Sequence, residues 1–92
     1  MAVSRLHVLI DGRVQGVGFR YSLMRKAVSL RLTGWVRNLY DGRVEAEFEG
    51  TQTDLEKMLA WCHRGPPLAH VNRVESRWEE GEPRYHDFTI RG

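Results

Sequence analysis

The chain has 92 residues, of which 41% are hydrophobic and 28% are charged. This composition predicts one small globular domain over residues 1–92, burying roughly 60 to 65% of the surface that the unfolded chain would expose. Its 14 basic and 12 acidic residues give a formal charge of +2, so we expect a mixed surface that suits a small anionic substrate better than duplex DNA.

The cysteine content and the hydropathy of the sequence indicate in which cellular compartment the protein is expected. One cysteine excludes an internal disulfide, and no apolar run is long enough for a signal peptide or a membrane span. We therefore expect a cytoplasmic protein without a membrane partner. The histidines lack the spacing of metal ligands, so the sequence predicts neither a metal nor a cofactor.

The first predicted element is a strand that ends at Asp11-Gly12, with alternating apolar residues Leu6, Val8 and Ile10. A glycine-rich loop follows, in which residues 12–20 are Gly-Arg-Val-Gln-Gly-Val-Gly-Phe-Arg. Glycines can adopt positive φ, so the backbone N–H groups of this loop can converge on one anion. The candidate binding residues are Gln15, Gly16, Val17, Gly18, Phe19 and Arg20.

The next predicted element is a helix, because apolar residues fall at positions 19, 23, 24, 27, 28 and 30. We expect it to end near Leu30. Arg20 would lie at the positive end of this helix, where a guanidinium is unfavourable unless an anion lies between it and the amides. A phosphoryl group is the simplest such anion. The alternative is an ordinary glycine-rich turn with a solvated arginine.

A hairpin is predicted in the middle of the chain. Residues 34–40 form one strand, and Asp41-Gly42 is a strong hairpin signal. In the second strand Val44, Ala46 and Phe48 alternate with Glu45, Glu47 and Glu49, so we expect the glutamates on a solvated face. Asn38 has the opposite parity to Trp35 and Arg37. By itself, an asparagine before a turn is expected to make local backbone hydrogen bonds.

A second helix is predicted by the capping-box pattern of Thr53 and Glu56. Its apolar stripe consists of Leu55, Met58, Leu59 and Cys62, which makes Cys62 a buried hydrophobe and not a nucleophile. Gly65-Pro66-Pro67 ends the helix. A fourth strand containing Val74, Ser76 and Trp78 and a short last strand at Phe88 to Ile90 complete the chain.

The order of elements predicts an α+β fold of the ferredoxin-like split βαβ type. It consists of βαββαβ plus a short C-terminal strand. Right-handed crossovers would place both helices on one face of an antiparallel sheet, with the glycine loop at the end of a central strand.

Three motifs together resemble the acylphosphatase family over essentially the whole chain. They are Gly12-Arg-Val-Gln-Gly-Val-Gly-Phe-Arg20, Gly34-Trp-Val-Arg-Asn38 and Asp41-Gly-Arg-Val44. The family usually carries glycine at the position of Arg31. The chain departs from it there, at a helix end that often requires a left-handed residue, so either Arg31 adopts that conformation or the helix ends differently.

The resemblance implies hydrolysis of an acyl phosphate to a carboxylate and inorganic phosphate, without a metal or a phosphoenzyme. Arg20 matches the arginine that binds the phosphoryl group, and Asn38 matches the asparagine that positions the attacking water. The expected partner is a small-molecule acyl phosphate, with inorganic phosphate or sulfate able to occupy the loop. A monomer is expected.

Two alternative functions are compatible with some of these sequence features. A non-catalytic phosphate-binding module on the same fold would bind anions without turnover. An RNA-binding domain of the RRM type has the same element order, but residues 43–48 offer glutamates where stacking aromatic residues are needed. We therefore expect no nucleic-acid partner.

Overall fold

The computed structural model describes residues 2–92. The elements are β1 (Val3–Arg13), α1 (Phe19–Ser29), β2 (Thr33–Asn38), β3 (Val44–Gly50), α2 (Gln52–Arg64), β4 (His70–Gly81) and β5 (Phe88–Ile90). This order confirms the predicted ferredoxin-like α+β arrangement. None of the helices formed by residues 2–92 has the length and apolar character needed to cross a bilayer.

The five strands form one sheet in the order β4-β1-β3-β2-β5. The first four strands pair antiparallel, as expected. β5 instead runs parallel to β2, which makes the sheet mixed. The reason lies in the connection: the chain turns back after β4 at one edge and crosses to the free edge of β2 at the other.

The hydrophobic core lies between the two helices and one face of the sheet. The predicted alternation is confirmed, because Leu6, Val8 and Ile10 of β1 are fully buried and so are Val44, Ala46 and Phe48 of β3. Cys62 is buried in this core, and burial raises the pKa of its thiol. A buried thiol with a raised pKa is a packing residue, as the helical stripe predicted.

Helix α1 ends as predicted near Leu30, and Arg31 takes the left-handed conformation with φ of 60°. The N–H of Leu32 donates to the carbonyl of Ala27 at 2.9 Å, and the N–H of Arg31 donates to Val28 at 3.0 Å. This pair of bonds is a Schellman motif, which usually has glycine at the left-handed position. Arg31 therefore carries backbone strain of about 1 kcal/mol.

Helix α2 begins earlier than predicted. Its N-cap is Thr51, whose side-chain oxygen accepts a hydrogen bond from the N–H of Asp54 at 3.2 Å. The predicted cap, Thr53, lies inside the helix. The capping box needs glutamate or glutamine three positions after the threonine, so the pattern favours Thr53 with Glu56 although Thr51, followed by Asp54, is the cap.

The expectation that the β3 glutamates are solvated is wrong for two of them. Glu47 and Glu49 are 9% and 3% exposed, because residues 82–87 cross over this face of the sheet. The N–H groups of Arg84 and Tyr85 donate to Glu49, and the buried Arg5 donates to the same carboxylate at 2.6 and 2.8 Å. The face is thus covered by a paired polar network instead of water.

Candidate active site

The loop between β1 and α1 has the backbone conformation that its glycines predicted. Gly16 and Gly18 have φ of 75° and 76°, and Gly18 is the N-cap of α1. A Cβ at either position would meet no atom within 4 Å. Glycine is therefore required for the backbone angles and not for space.

The N–H groups of this loop lack protein partners. The first amide of the α1 turn that bonds to a backbone carbonyl is that of Ser22, which donates to Gly18 at 3.1 Å. Across residues 2–92, no hydrogen bond is donated by the N–H groups of residues 15–20. These groups and the positive end of α1 form a concentration of donors suited to an anion.

Arg20 occupies the second position of α1 and is half-buried. The first turn contains no acidic residue, and Arg20 forms no ion pair with a carboxylate within the described chain. An unpaired guanidinium beside a helix N-terminus raises the local positive potential further. The fork of Arg20 is thus free to bind a phosphoryl group with two hydrogen bonds.

Asn38 is the last residue of β2. Its Oδ1 is buried and has no hydrogen-bond partner, and no other side-chain oxygen or nitrogen within residues 2–92 combines these properties. Leaving such a group unpaired costs about 1 to 3 kcal/mol. The local backbone hydrogen bonds expected from the sequence alone are therefore not formed by this oxygen, which can accept a bond from a bound molecule.

The loop, Arg20 and Asn38 meet in one cleft of about 220 Å³. Its lining residues are Val14, Gly16, Gly18, Phe19, Arg20, Tyr21, Asn38 and Ile90. A larger groove of about 770 Å³ lies between α1 and residues 64–69, but it has neither the free loop amides nor the unpaired amide oxygen. The smaller cleft is therefore the candidate active site.

The side chains of three predicted binding residues have other surroundings, in the core or in a neighbouring cleft. The side chain of Phe19 is buried and packs edge-on against Trp61 with ring centroids 5.4 Å apart. Val17 packs against the core and does not line the cleft. Gln15 lines a neighbouring cleft that shares Asn38.

The Gln15 side chain has a role that the sequence did not suggest. Its Nε2 donates to the carbonyls of Leu39 at 2.7 Å and Arg43 at 3.0 Å. Both acceptors belong to the loop of the β2–β3 hairpin, which follows Asn38 directly. Gln15 therefore links the glycine-rich loop to the hairpin loop that follows Asn38.

Three further lining residues, Val14, Tyr21 and Ile90, were not predicted. Ile90 reaches the cleft because β5 pairs with β2 and places Ile90 beside Val36. No local pattern signals that pairing. Tyr21 was detectable in principle, since it follows Arg20 in the first turn of a predicted helix.

Residues 2–92 contain no group of three or more histidine, cysteine or acidic side chains placed to hold a metal ion.

The chain as a whole is similar to known proteins of one family. The family model described as acylphosphatase matches residues 6–90. A relative named acylphosphatase from Trichormus variabilis is 60% identical over 78 residues, which are 85% of this chain and 77% of the relative. Another from Chloroflexus aurantiacus is 51% identical over 90 residues, covering 98% of both chains. The crystal structure of acylphosphatase from Bacillus subtilis has a TM-score of 0.93 and 35% identity, covering 97% of this chain and 99% of that one.

Proposed function

We propose that this chain, which belongs to the acylphosphatase family and is therefore a hydrolase, cleaves the carboxyl-phosphate bond of acyl phosphates without a metal. The products are a carboxylate and inorganic phosphate. Backbone amides of residues 15–20 and Arg20 hold the phosphoryl group, and Asn38 orients the attacking water. The single observation that carries this proposal is the buried, unpaired Oδ1 of Asn38 in the same cleft as the free loop amides.

The leaving group explains why the cleft needs few catalytic groups. A carboxylate departs readily, since the pKa of its conjugate acid is about 4, and so no general acid is needed. Phosphoryl transfer mainly requires positioning and stabilisation of the charge on the equatorial oxygens. The loop amides and Arg20 provide both.

Asn38 determines where the water lies. A water that donates to Oδ1 keeps its lone pair free to attack phosphorus in line with the scissile bond. The P–O bond to water forms as the bond to the carboxylate oxygen breaks, and the carboxylate leaves with the electron pair. A phosphoryl oxygen accepts the water's proton, because no carboxylate or histidine lines the cleft.

The test is hydrolysis of benzoyl phosphate in the presence of a metal chelator, measured beside Asn38→Ala. We expect turnover to survive the chelator and kcat to fall about 100- to 1,000-fold in the variant, the loss typical for removing one positioned polar group. Inorganic phosphate should inhibit the wild type competitively. Phosphate binding without turnover would support a non-catalytic module instead.

We also propose that residues 1–92 form one domain. In support, both helices and four strands, β1, β2, β3 and β5, contribute residues to one hydrophobic core. The chain's monomeric state and cytoplasmic location stay predictions. Sedimentation of the purified protein would decide the first of these.

A further inference from the structure

Two exposed apolar side chains line the rim of the cleft. Six large hydrophobic side chains are notably exposed within the described chain: Tyr21, Val28, Tyr40, Leu68, Trp78 and Ile90. Only Tyr21, at 57%, and Ile90, at 40%, line the cleft that contains Arg20 and Asn38. Ligand sites usually combine a few placed polar groups with apolar lining side chains, which contact the apolar part of the ligand.

The two side chains come from separate elements and flank the cleft. Tyr21 is the third residue of α1, and the guanidinium carbon of Arg25, one turn later, lies 5.9 Å from its ring centroid. Ile90 pairs with Val36, two residues before Asn38, and lies on β5 at the edge of the sheet.

In-line attack limits where the acyl group of a bound substrate can lie. With the water at Asn38, the carboxylate must leave from the opposite side of phosphorus, while Arg20 and the loop amides occupy the equatorial oxygens. The other two apolar lining residues, Val14 and Phe19, are 1% and 2% exposed and present no surface to a group that extends outward. Among the lining side chains only Tyr21 and Ile90 are both apolar and exposed, so these two can contact an acyl group that extends outward from the cleft.

We propose that Tyr21 and Ile90 bind the acyl group and give the enzyme a preference for acyl phosphates with an aromatic or bulky apolar acyl group. This inference rests on the proposed function. An aromatic acyl group buries apolar surface against the tyrosine ring and the isoleucine side chain, whereas an acetyl group is too small to cover either. Both residues determine specificity and neither takes part in the chemical step.

The kinetic test compares kcat/KM for benzoyl phosphate and acetyl phosphate. In Tyr21→Ala we expect the ratio between the two substrates to fall about tenfold, which corresponds to losing one well-packed aromatic contact. Ile90→Thr should lower the ratio less, and Tyr21→Phe should keep it. Tyr40→Ala is the matched control, because Tyr40 is fully exposed in the neighbouring cleft on the other side of Asn38. Its ratio should equal that of the wild type.

A second measurement separates this inference from the proposed function. Benzoylphosphonate and acetylphosphonate carry an uncleavable C–P bond, and their Kd values follow from calorimetry without turnover. We expect the wild type to bind benzoylphosphonate about tenfold more tightly and Tyr21→Ala to lose most of that difference. If the wild type hydrolyses nothing but keeps this preference, the acyl contact stands and the hydrolysis proposal fails.

Three results would overturn the inference while leaving hydrolysis intact. Equal affinity of the wild type for both phosphonates would mean that the rim does not contact the acyl group. An equal loss for both substrates in Tyr21→Ala would mean that Tyr21 supports the anion loop. A fall in the ratio in Tyr40→Ala would place the acyl group in the neighbouring cleft that Tyr40 lines.

Discussion

Arg20 and Asn38 are each destabilising where they lie. A guanidinium near the positive end of α1 and a buried amide oxygen without a donor both raise the free energy of the folded state. Neither has a compensating contact within the described chain. Unsatisfied groups that converge on one cleft are expected where a ligand completes the interactions.

Arg20→Lys tests whether the guanidinium fork is needed. We expect kcat/KM for benzoyl phosphate to fall about 100-fold or more, because a lysine ammonium is a point charge that cannot make two parallel hydrogen bonds. The measurement is steady-state kinetics, with thermal unfolding as a control for folding. Activity within threefold of the wild type would exclude a bidentate role for Arg20.

Asn38→Ala tests whether Oδ1 is truly unsatisfied. Removing a buried acceptor without a partner should leave the free energy of unfolding unchanged or raise it by up to about 1 kcal/mol. The measurement is urea unfolding without phosphate. A loss of more than about 1 kcal/mol would indicate that Asn38 stabilises the fold, and its catalytic assignment would lose its main support.

At the scale of elements, the ends of α1 have opposite character. The start leaves its amides free for an anion, whereas the end satisfies its last carbonyls through the Schellman motif. Arg31 adopts the left-handed conformation there although a side chain disfavours it. Its guanidinium is 82% exposed and lies 3.5 Å from Asp54, which is a weak compensation at the surface.

Arg31→Gly should therefore stabilise the protein by about 1 kcal/mol, because glycine adopts positive φ without strain. For a domain of this size the Tm should rise by about 4 to 8 °C. Arg31→Ala is the matched control, since it removes the Asp54 contact but keeps a Cβ. If both variants shift the Tm equally, the conformational explanation is wrong.

At the scale of the whole molecule, charge is segregated between the two sides of the sheet. Residues 12–40, which include the anion loop, α1 and β2, contain no aspartate or glutamate. Much of the acidic charge lies instead on the opposite face, where it pairs with Arg5, Arg37 and Arg84. A small net charge thus coexists with a site that attracts anions.

The ion pairs on this opposite face lead us to expect that the fold loses stability at low pH. Burial alone would raise the pKa of Glu45, but hydrogen bonds with His7 and Arg37 outweigh it and hold the pKa below its usual range. The unfolded chain then binds the proton at higher pH than the folded one. The stability from Glu45 is present above the ordinary glutamate pKa of about 4.3 and is lost as pH falls through the lower folded value.

Glu45→Gln should be less stable than the wild type by about 1 kcal/mol at neutral pH, because the amide keeps the shape but not the charge. The difference should shrink as the pH is lowered from about 6 to about 3. Urea unfolding across this range measures it. A difference that stays constant with pH would assign the effect to packing.

The features that could be predicted from the sequence are those that short-range physics controls. Alternation in β1 and β3, the buried stripe with Cys62 and the positive φ of Gly16 and Gly18 all follow from residues within one or two turns of each other. Arg20 at the start of α1 was predictable for the same reason.

At Arg31 the sequence left two helix ends possible, and the structure has the left-handed one. The pairing of β5 with β2 was not predictable, because no local pattern signals it. The cap at Thr51 was not predictable either, because the capping-box pattern points to Thr53.

Contacts between side chains that are distant in the sequence could be read from the three-dimensional structure alone. Glu49 is buried because Arg5 and residues 84–85, more than 30 positions away in either direction, converge on it. The unpaired oxygen of Asn38, the tether from Gln15 and the rim formed by Tyr21 and Ile90 likewise depend on contacts between distant segments. Hydrophobic periodicity tells which face of an element is buried, but it carries no information about which distant segment covers that face.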